Sequence, residues 1–266
     1  MFHQNTVLCT VSSLRRKYSP LISAHKSAEL LSPGGGGYDG RIWRLWLQGE
    51  DNAPEVCKAC LRSLRYWHSD KKIITLDKNN ISDYIDLPGY IIDKHEKGII
   101  SHTHFSDIIR AELLTQHGGT WIDATVYCTG RKFGDIMRLP LFVYQMKIFS
   151  CIASNWFIVS DAHNPIITLT RDLLFQYWKD YDYLIHYFFF HMFFKMAAEA
   201  YPDEWSKVPY FSNRPPHEMQ HSMYDDYSDD KMKYFAGISD FHKLTYVRPE
   251  KLTPSSILQH VIDSYR

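Results

Sequence analysis

The sequence has no excess of either charge, few cysteines and no long apolar run. Its 266 residues carry 30 Lys plus Arg and 30 Asp plus Glu, so nothing in the composition favours binding to nucleic acid. Five cysteines are an odd number, which is not how a disulfide-stapled secreted domain is built. Residues 1–10 lack the basic segment and apolar core of a signal peptide. These absences favour a reducing, cytoplasmic setting.

The most apolar stretch, residues 177–194, is rich in aromatic side chains but is interrupted by Lys179, Asp180, Asp182, His186 and His191. Its uncharged run is shorter than the ~20 residues that a spanning helix needs. Two interpretations stay open: a buried helix, or a surface that touches lipid or a lipid-linked acceptor. The second would place the protein peripherally at the inner face of a membrane.

The chain divides at a glycine run. Residues 1–40 have little apolar periodicity and end in Pro33 followed by Gly34 to Gly37, which predicts a flexible N-terminal arm. From Arg41 onward apolar periodicity is regular, and 45% hydrophobic content is enough for a sizeable core. We therefore expect one domain over residues 41–266.

Apolar periodicity over this domain alternates between strand-like and helix-like segments. It predicts strands from 41, at 71–77, 90–92, 120–127, 141–145 and 157–159, helices at 54–66 and 101–117, two aromatic helices within 165–200, and a polar loop region at 201–236. Such alternation is typical of an α/β fold with a mostly parallel sheet. Ligands in these sheets bind beyond the carboxyl ends of the strands, so Gln48, Asp77 and Asp123 should approach one crevice.

Three charged residues around the best predicted helix could carry chemistry. Asp107 and Arg110 are three residues apart, so they share one helix face, where a carboxylate can accept sugar hydroxyls and a guanidinium can bind phosphate. A plain surface ion pair is the alternative. Asp123 closes the strand that follows Gly118 and Gly119, where it could hold a divalent cation or simply complete a turn.

Several motifs occur in order along the chain: IWRLWLQG at 42–49, LDKNN at 76–80, YIDLP at 84–88, SDIIR at 106–110, GGTWIDATV at 118–126, SNWFI at 154–158 and HKL at 242–244. Together they resemble the glycosyltransferases with a DXD sugar-binding region, a group that includes yeast mannosyltransferases and clostridial glucosylating toxins. The closer resemblance is to bacterial capsular polysaccharide synthesis proteins, and it runs from about Arg41 to Val247.

The resemblance implies a GT-A type fold, a Rossmann-like nucleotide-sugar-binding sandwich with additional C-terminal helices. It implies a transferase that moves a sugar from a nucleotide-sugar donor, a UDP-sugar, to a glycan or lipid-linked acceptor in capsular or cell-surface polysaccharide synthesis, with retention of anomeric configuration. A non-catalytic glycan-binding or assembly protein on the same fold is the alternative.

Site residues are implied in the same way. Asp107 and Arg110 match the sugar-binding pair, and Asp123 matches the first Asp of the DXD motif. Trp46 and Gln48 fall where the first strand meets the nucleotide base, although Trp46 could equally be a core residue. Further candidates, each with a purely structural alternative, are Asn155 beside the sugar, His242 as a metal ligand and Lys243 at the leaving phosphate.

One position departs from the motif. The tripeptide reads Asp123, Ala124, Thr125, so Thr replaces the second Asp. The family's usual cofactor is Mn²⁺ or Mg²⁺, and the expected ligands here are Asp123 and His242, with diphosphate and water completing an oxygen-rich shell. Because one carboxylate is missing, the sequence leaves metal dependence open.

Overall fold

The computed structural model describes residues 2–31, 40–132, 134–148, 151–246 and 251–266. The glycine run that ends the predicted arm lies outside these residues. The first half forms α1 (Phe2–Leu31), β1 (Ile42–Leu45), α2 (Glu55–Trp67), β2 (Ile73–Leu76), α3 (Gly89–Glu96), α4 (His102–His117), β3 (Gly119–Ile122) and β4 (Val126–Cys128). The second half forms β5 (Leu141–Ile148), β6 (Cys151–Ser160), α5 (Pro165–Asp180), α6 (Phe189–Ala200), α7 (Pro202–Ser206), α8 (Pro215–Ser222), α9 (Asp229–Ile238), β7 (Phe241–Lys243) and α10 (Ile257–Asp263).

A five-stranded sheet in the order β2-β1-β3-β6-β5 forms the centre of the fold. β1 pairs in parallel with β2 and β3, whereas β6 is antiparallel to both β3 and β5. Four strands therefore run in one direction and only β6 opposes them. The predicted α/β class with a mostly parallel sheet is confirmed.

Both faces of the sheet are covered, as the unbroken burial of β1 and β3 requires. Side chains alternate between the faces of a strand, so Trp43 packs into one apolar cluster and Ile42 into another. Helices α1 and α3 to α6 cover the first face. On the other side, α2, α8, α9 and α10 pack around a small second sheet formed by β4 and β7.

Helix α4 leads directly into β3, and the connection explains the glycine pair. Ser101 caps the start of the helix by accepting from the His104 amide, a favoured N-cap arrangement. Gly118 ends it at φ 62°, and a Cβ there would lie 2.6 Å from the Ala162 nitrogen. Gly119 has φ 104°, and its Cβ would lie 2.9 Å from the Arg41 carbonyl oxygen. Only glycine permits so short a turn between this helix and this strand.

Residues 2–31 do not form the predicted arm. They form a helix whose side chains at Val11, Leu14 and Tyr18 are buried, and it packs on α5 and α6. Tyr18 donates to Asp180 at 3.1 Å, and Lys17 pairs with the same carboxylate at 2.7 Å. Three apolar anchors on one face are enough to dock a helix, but they are too few to show as periodicity in a polar stretch.

Three other predictions are wrong in detail. The segment expected to be a strand at 90–92 belongs to helix α3, and the polar region 201–236 contains α7, α8 and α9. Tertiary packing supports these short helices more than their own apolar content does. The strand expected at 120–127 is broken after Ile122, because the chain leaves the central sheet and β4 pairs with β7 instead. That break creates the site.

Candidate active site

A cavity of about 310 Å³ opens at the carboxyl ends of β1 and β3. Trp46 and Gln48 line it from the end of β1, and Arg110 lines it from α4. The segment between β3 and β4 contributes Asp123, Ala124 and Thr125, while β7 and the residues after it contribute Lys243 and Tyr246. The break between β3 and β4 thus turns the Asp-Ala-Thr tripeptide into one wall of a cavity.

The carboxylate of Asp123 is surrounded by donors. The Trp121 indole donates to Oδ1 at 2.9 Å, and an Arg110 nitrogen lies 3.5 Å from the same oxygen. The Lys243 ammonium lies 3.2 Å from Oδ2. Burial by itself would raise the pKa of Asp123, but Lys243 and Arg110 outweigh burial and hold this pKa below its ordinary value. Asp123 is therefore a carboxylate at every physiological pH.

Lys243 bridges two positions of the tripeptide. Besides contacting Asp123, its Nζ donates to the Thr125 hydroxyl at 2.5 Å. The bridge follows from strand pairing, because Val126 of β4 lies opposite Lys243 of β7 and brings the two chain segments into register. The ammonium group consequently lies between the first and the third residue of the tripeptide.

Arg110 is held in place by several groups. Its guanidinium donates to the Asn155 carbonyl at 2.6 Å and to the Ser106 hydroxyl at 3.0 Å. It also pairs with Asp107 at 3.3 Å and lies over the Trp121 ring, 4.9 Å from the centroid. Because so many contacts restrain it, Arg110 presents a pre-organised cationic face to the cavity.

Asp107 lies behind Arg110 instead of beside it. Its side chain is buried, and it is absent from the residues that line the cavity. It accepts from the Asn155 side-chain amide at 2.9 Å. Burial raises the pKa of Asp107, and the neighbouring Arg110 offsets only part of this effect. Asp107 and Asn155 were both predicted at the sugar. The structure places them together as supports of the arginine, and a direct sugar contact stays a prediction.

The structure does not bring His242 to Asp123. Adjacent residues of a strand point to opposite faces, so Lys243 faces the cavity and His242 turns into the interior. There the His242 ring contacts the Ser239 carbonyl at 2.9 Å and the Thr129 hydroxyl at 3.1 Å. Burial lowers the pKa of His242 to about 4. The predicted pairing of Asp123 and His242 as metal ligands is wrong for this reason.

Without His242, the possible metal ligands that line the cavity do not fit Mn²⁺ or Mg²⁺. Hard cations need several oxygen ligands, yet Asp123 is the one carboxylate among the described residues that line the cavity. Two cationic side chains already contact it, and one of them also contacts Thr125. In the described parts of the chain, no three His, Cys, Asp or Glu residues are grouped so that they could hold a metal ion. The metal expected from the resemblance finds no matching ligands here.

Arg44 is a site residue that sequence reasoning missed. It lies in the middle of β1 with 3% of its surface exposed, and it donates to the Ala124 carbonyl at 3.1 Å and to the Cys57 carbonyl at 3.3 Å. Among the described residues, no hydrogen-bond partner is found for its Nε or Nη1. The signal was present in the sequence, because a charged residue inside an otherwise apolar strand is costly unless it has a task.

Trp46 and Gln48 line the cavity as predicted, whereas Asp77 does not. Asp77 instead accepts from the Asn79 amide at 2.7 Å within its own turn. Tyr246 was also missed. It is 57% exposed and its ring centroid is 6.1 Å from that of Trp46 in an edge-on arrangement. These two rings form the aromatic part of the cavity lining.

Fold and cavity together define a class: an α/β protein with a cavity, lined by cationic and aromatic side chains, beyond the carboxyl ends of parallel strands. Comparison of the sequence with known families makes this specific. The chain belongs to the capsular polysaccharide synthesis protein family, whose model matches residues 2–261.

One curated relative is an O-glycosyltransferase, braB, from Annulohypoxylon truncatum. It is 26% identical over 160 residues, which are 53% of this chain and 38% of that protein. This chain thus matches well under half of the length of the relative.

Two solved structures are also similar. The PaToxG glycosyltransferase is 14% identical, with 97% of this chain and 96% of that chain covered and a TM-score of 0.46. The apo-form glycosyltransferase GlyE of Streptococcus pneumoniae TIGR4 is 14% identical, with 85% and 60% covered and a TM-score of 0.43. Both scores are too low for either likeness to carry an argument.

Proposed function

We propose that this protein is a GT-A type glycosyltransferase that moves a sugar from a nucleotide-sugar donor, a UDP-sugar in the first instance, to a glycan or lipid-linked acceptor. The observation that carries the proposal is the pair of cations, Arg110 and Lys243, that meet at Asp123 in a cavity with an aromatic part. Membership of the capsular polysaccharide synthesis family supports a role in capsular or cell-surface polysaccharide synthesis. The relative named as an O-glycosyltransferase supports the reaction.

The cavity offers one region for each part of such a donor. The base would lie at the aromatic part between Trp46 and Tyr246, with the Gln48 amide at its polar edge. Stacking on aromatic rings is a common way to hold a base. The diphosphate would lie at Arg110 and Lys243, since a guanidinium and an ammonium are the usual side-chain partners of phosphate.

In the proposed reaction, the bond between the sugar C1 and the diphosphate oxygen breaks and its electron pair leaves with the nucleoside diphosphate. The acceptor hydroxyl oxygen bonds to C1, and its proton ends on the departing diphosphate. Fixed cations at the developing negative charge favour this transition state. Arg110 would serve here, positioned by Asp107 and Asn155. Retention of configuration is part of the proposal and rests on the family resemblance.

An apolar surface beside the cavity suits a lipid-linked acceptor. Between α5 and α6 the exposed apolar side chains are those of Tyr183, Leu184, Ile185, Tyr187 and Phe188. The Tyr187 carbonyl contacts the His104 ring at 3.2 Å, and His102 and Thr103 line the cavity. Exposed aromatic side chains are typical of membrane interfaces. No helix in the described parts of the chain is long and apolar enough to cross a bilayer.

Calorimetric titration with UDP, GDP and their sugars tests the proposal. We expect one nucleotide family to bind, and Arg110→Ala to weaken it by about 10- to 100-fold, the size of a charge-assisted hydrogen bond to phosphate. Incubation with the bound donor and a panel of acceptor glycans should then give a transferred product. Binding of a glycan without any nucleotide would instead favour the non-catalytic alternative.

A further inference from the structure

The position of the Lys243 ammonium has a consequence for the chemistry. In a DXD motif the first and third residues are both carboxylates, and a divalent cation can join them to the diphosphate. Here the third residue is Thr125, and a side-chain ammonium already contacts both positions, at 3.2 Å from Asp123 and 2.5 Å from Thr125. The lysine therefore lies where the second carboxylate of a DXD motif would be.

Two further cations surround the tripeptide. Arg110 contacts Asp123 from α4, and the buried Arg44 donates to the Ala124 carbonyl from below. Each of the three tripeptide residues thus has a cationic partner on a different element of the fold. Arg44 and Arg110 are both almost fully buried, where poorly screened charge acts most strongly.

The balance of charge favours an anion over a metal at this position. Asp123, and Asp107 behind Arg110, contribute at most two negative charges. Three cations oppose them: Lys243 and Arg110 within 3.5 Å of Asp123, and Arg44 at the Ala124 carbonyl. A divalent cation ligated by Asp123 would lie within a few ångströms of an ammonium and a guanidinium, and like charges so close repel strongly. A diphosphate would instead gain two charged partners.

We propose that Lys243, together with Arg110, takes the place of the metal ion and binds the donor diphosphate directly, so that this protein binds its nucleotide and transfers sugar without a divalent cation. The proposal rests on the proposed function. When the bond from C1 to the diphosphate oxygen breaks, the electron pair stays on that oxygen. The ammonium and guanidinium then lie next to the new negative charge, while the acceptor hydroxyl oxygen bonds to C1 and its proton passes to the diphosphate, so no co-reactant besides donor and acceptor is needed.

Titration with UDP, the nucleotide of the proposed donor, tests this without relying on activity. The wild-type protein should bind UDP with the same Kd, within about twofold, in EDTA and in Mn²⁺, a difference under about 0.4 kcal/mol. Lys243→Ala should weaken UDP binding by about 10- to 100-fold in both media, as expected for a lost charged hydrogen bond. Lys243→Arg should recover part of this loss. Lys233→Ala, an exposed lysine on α9, is the matched control and should behave as wild type.

A double variant, Lys243→Ala with Thr125→Asp, restores the carboxylate and removes the ammonium. We expect its UDP binding to require Mn²⁺, and we expect it to bind Mn²⁺ alone, seen as loss of the free-ion electron paramagnetic resonance signal, where wild type does not. Circular dichroism and the melting temperature of each variant confirm that it is folded.

The outcomes separate the two proposals. UDP binding by wild type that requires Mn²⁺, or that survives Lys243→Ala unchanged in a folded protein, overturns the metal-free mode and leaves the proposed function standing. If no nucleotide binds in either EDTA or Mn²⁺, both the proposed function and the metal-free binding mode are wrong.

Discussion

Replacing Asp123 by Asn separates what this carboxylate does for the fold from what it does for the ligand. Asn keeps the shape and can still accept from the Trp121 indole, but it loses the charge that Lys243 and Arg110 face at 3.2 and 3.5 Å. At an effective dielectric of about 20, each contact is worth roughly 5 kcal/mol before desolvation is subtracted. After desolvation, we expect a net loss of about 2–3 kcal/mol of unfolding free energy, as for hydrogen bonds to charged groups.

The expected effect of Asp123→Asn on UDP affinity is opposite in sign to its effect on stability. Removing one negative charge frees Lys243 from its carboxylate partner and leaves Arg110 paired with Asp107 alone. Asp123→Asn should therefore bind UDP at least as tightly as wild type, although it is less stable. A metal ligand would behave differently, because its removal would weaken both nucleotide and Mn²⁺ binding.

Two measurements on the same preparations decide between these outcomes. Thermal unfolding should show a melting temperature roughly 5–10 °C below that of wild type, and calorimetry should show an unchanged or lower Kd for UDP. Asp230→Asn, at a fully exposed position on α9, is the control and should change neither. Loss of UDP binding in a folded Asp123→Asn protein would refute the reasoning, since it would mean that the carboxylate itself holds the ligand or a metal.

Three further predictions follow from the same geometry. Trp46→Ala should weaken UDP binding by about tenfold through lost stacking, measured by calorimetry, whereas Tyr234→Ala, an exposed ring away from the cavity, should not; equal effects would remove Trp46 from the base site. Burial lowers the pKa of His242 to about 4, so its contribution to stability is complete above its ordinary pKa of 6.5 and is lost as the pH falls from there towards 4. Between pH 7 and pH 5 the free energy of unfolding of His242→Gln should therefore fall by about 2 kcal/mol less than that of wild type. Urea unfolding at each pH measures this, and the same pH profile for both proteins would contradict it. Exchanging both Tyr187 and Phe188 for Ser should reduce cosedimentation with anionic lipid vesicles while leaving UDP affinity unchanged, and unchanged sedimentation would argue against the membrane surface.

Much of the fold was predictable because local signals and tertiary packing agree. Helix α4 has a capping serine, apolar residues at helical spacing and a glycine pair at its end, and each signal acts within a few residues. The strand at 42–45 is apolar except for Arg44, and both of its faces are buried. These locally specified elements carry Trp46, Gln48 and Arg110, which lie at one edge of the sheet.

Other parts could not be predicted, because long-range contacts decide them. Helix α1 exists through burial against α5 and α6, more than a hundred residues away. The strand expected at 120–127 divides because β4 finds β7 as a partner, and a partner so distant in sequence leaves no local trace. The same pairing reverses the expected roles of two neighbours, since it turns Lys243 into the cavity and His242 into the core.

The sequence by itself determined the α/β class, the family motifs and the edge of the sheet at which Asp123 and Arg110 meet, because periodicity, caps and glycines act over short distances. Only the tertiary structure decided what surrounds the Asp-Ala-Thr tripeptide. Side chains from β1, α4 and β7 converge there from positions up to 199 residues apart, Arg44 and Lys243 being the extremes. The physical reason is that charge acts through space, so its balance at a site depends on which distant segments the fold brings within a few ångströms.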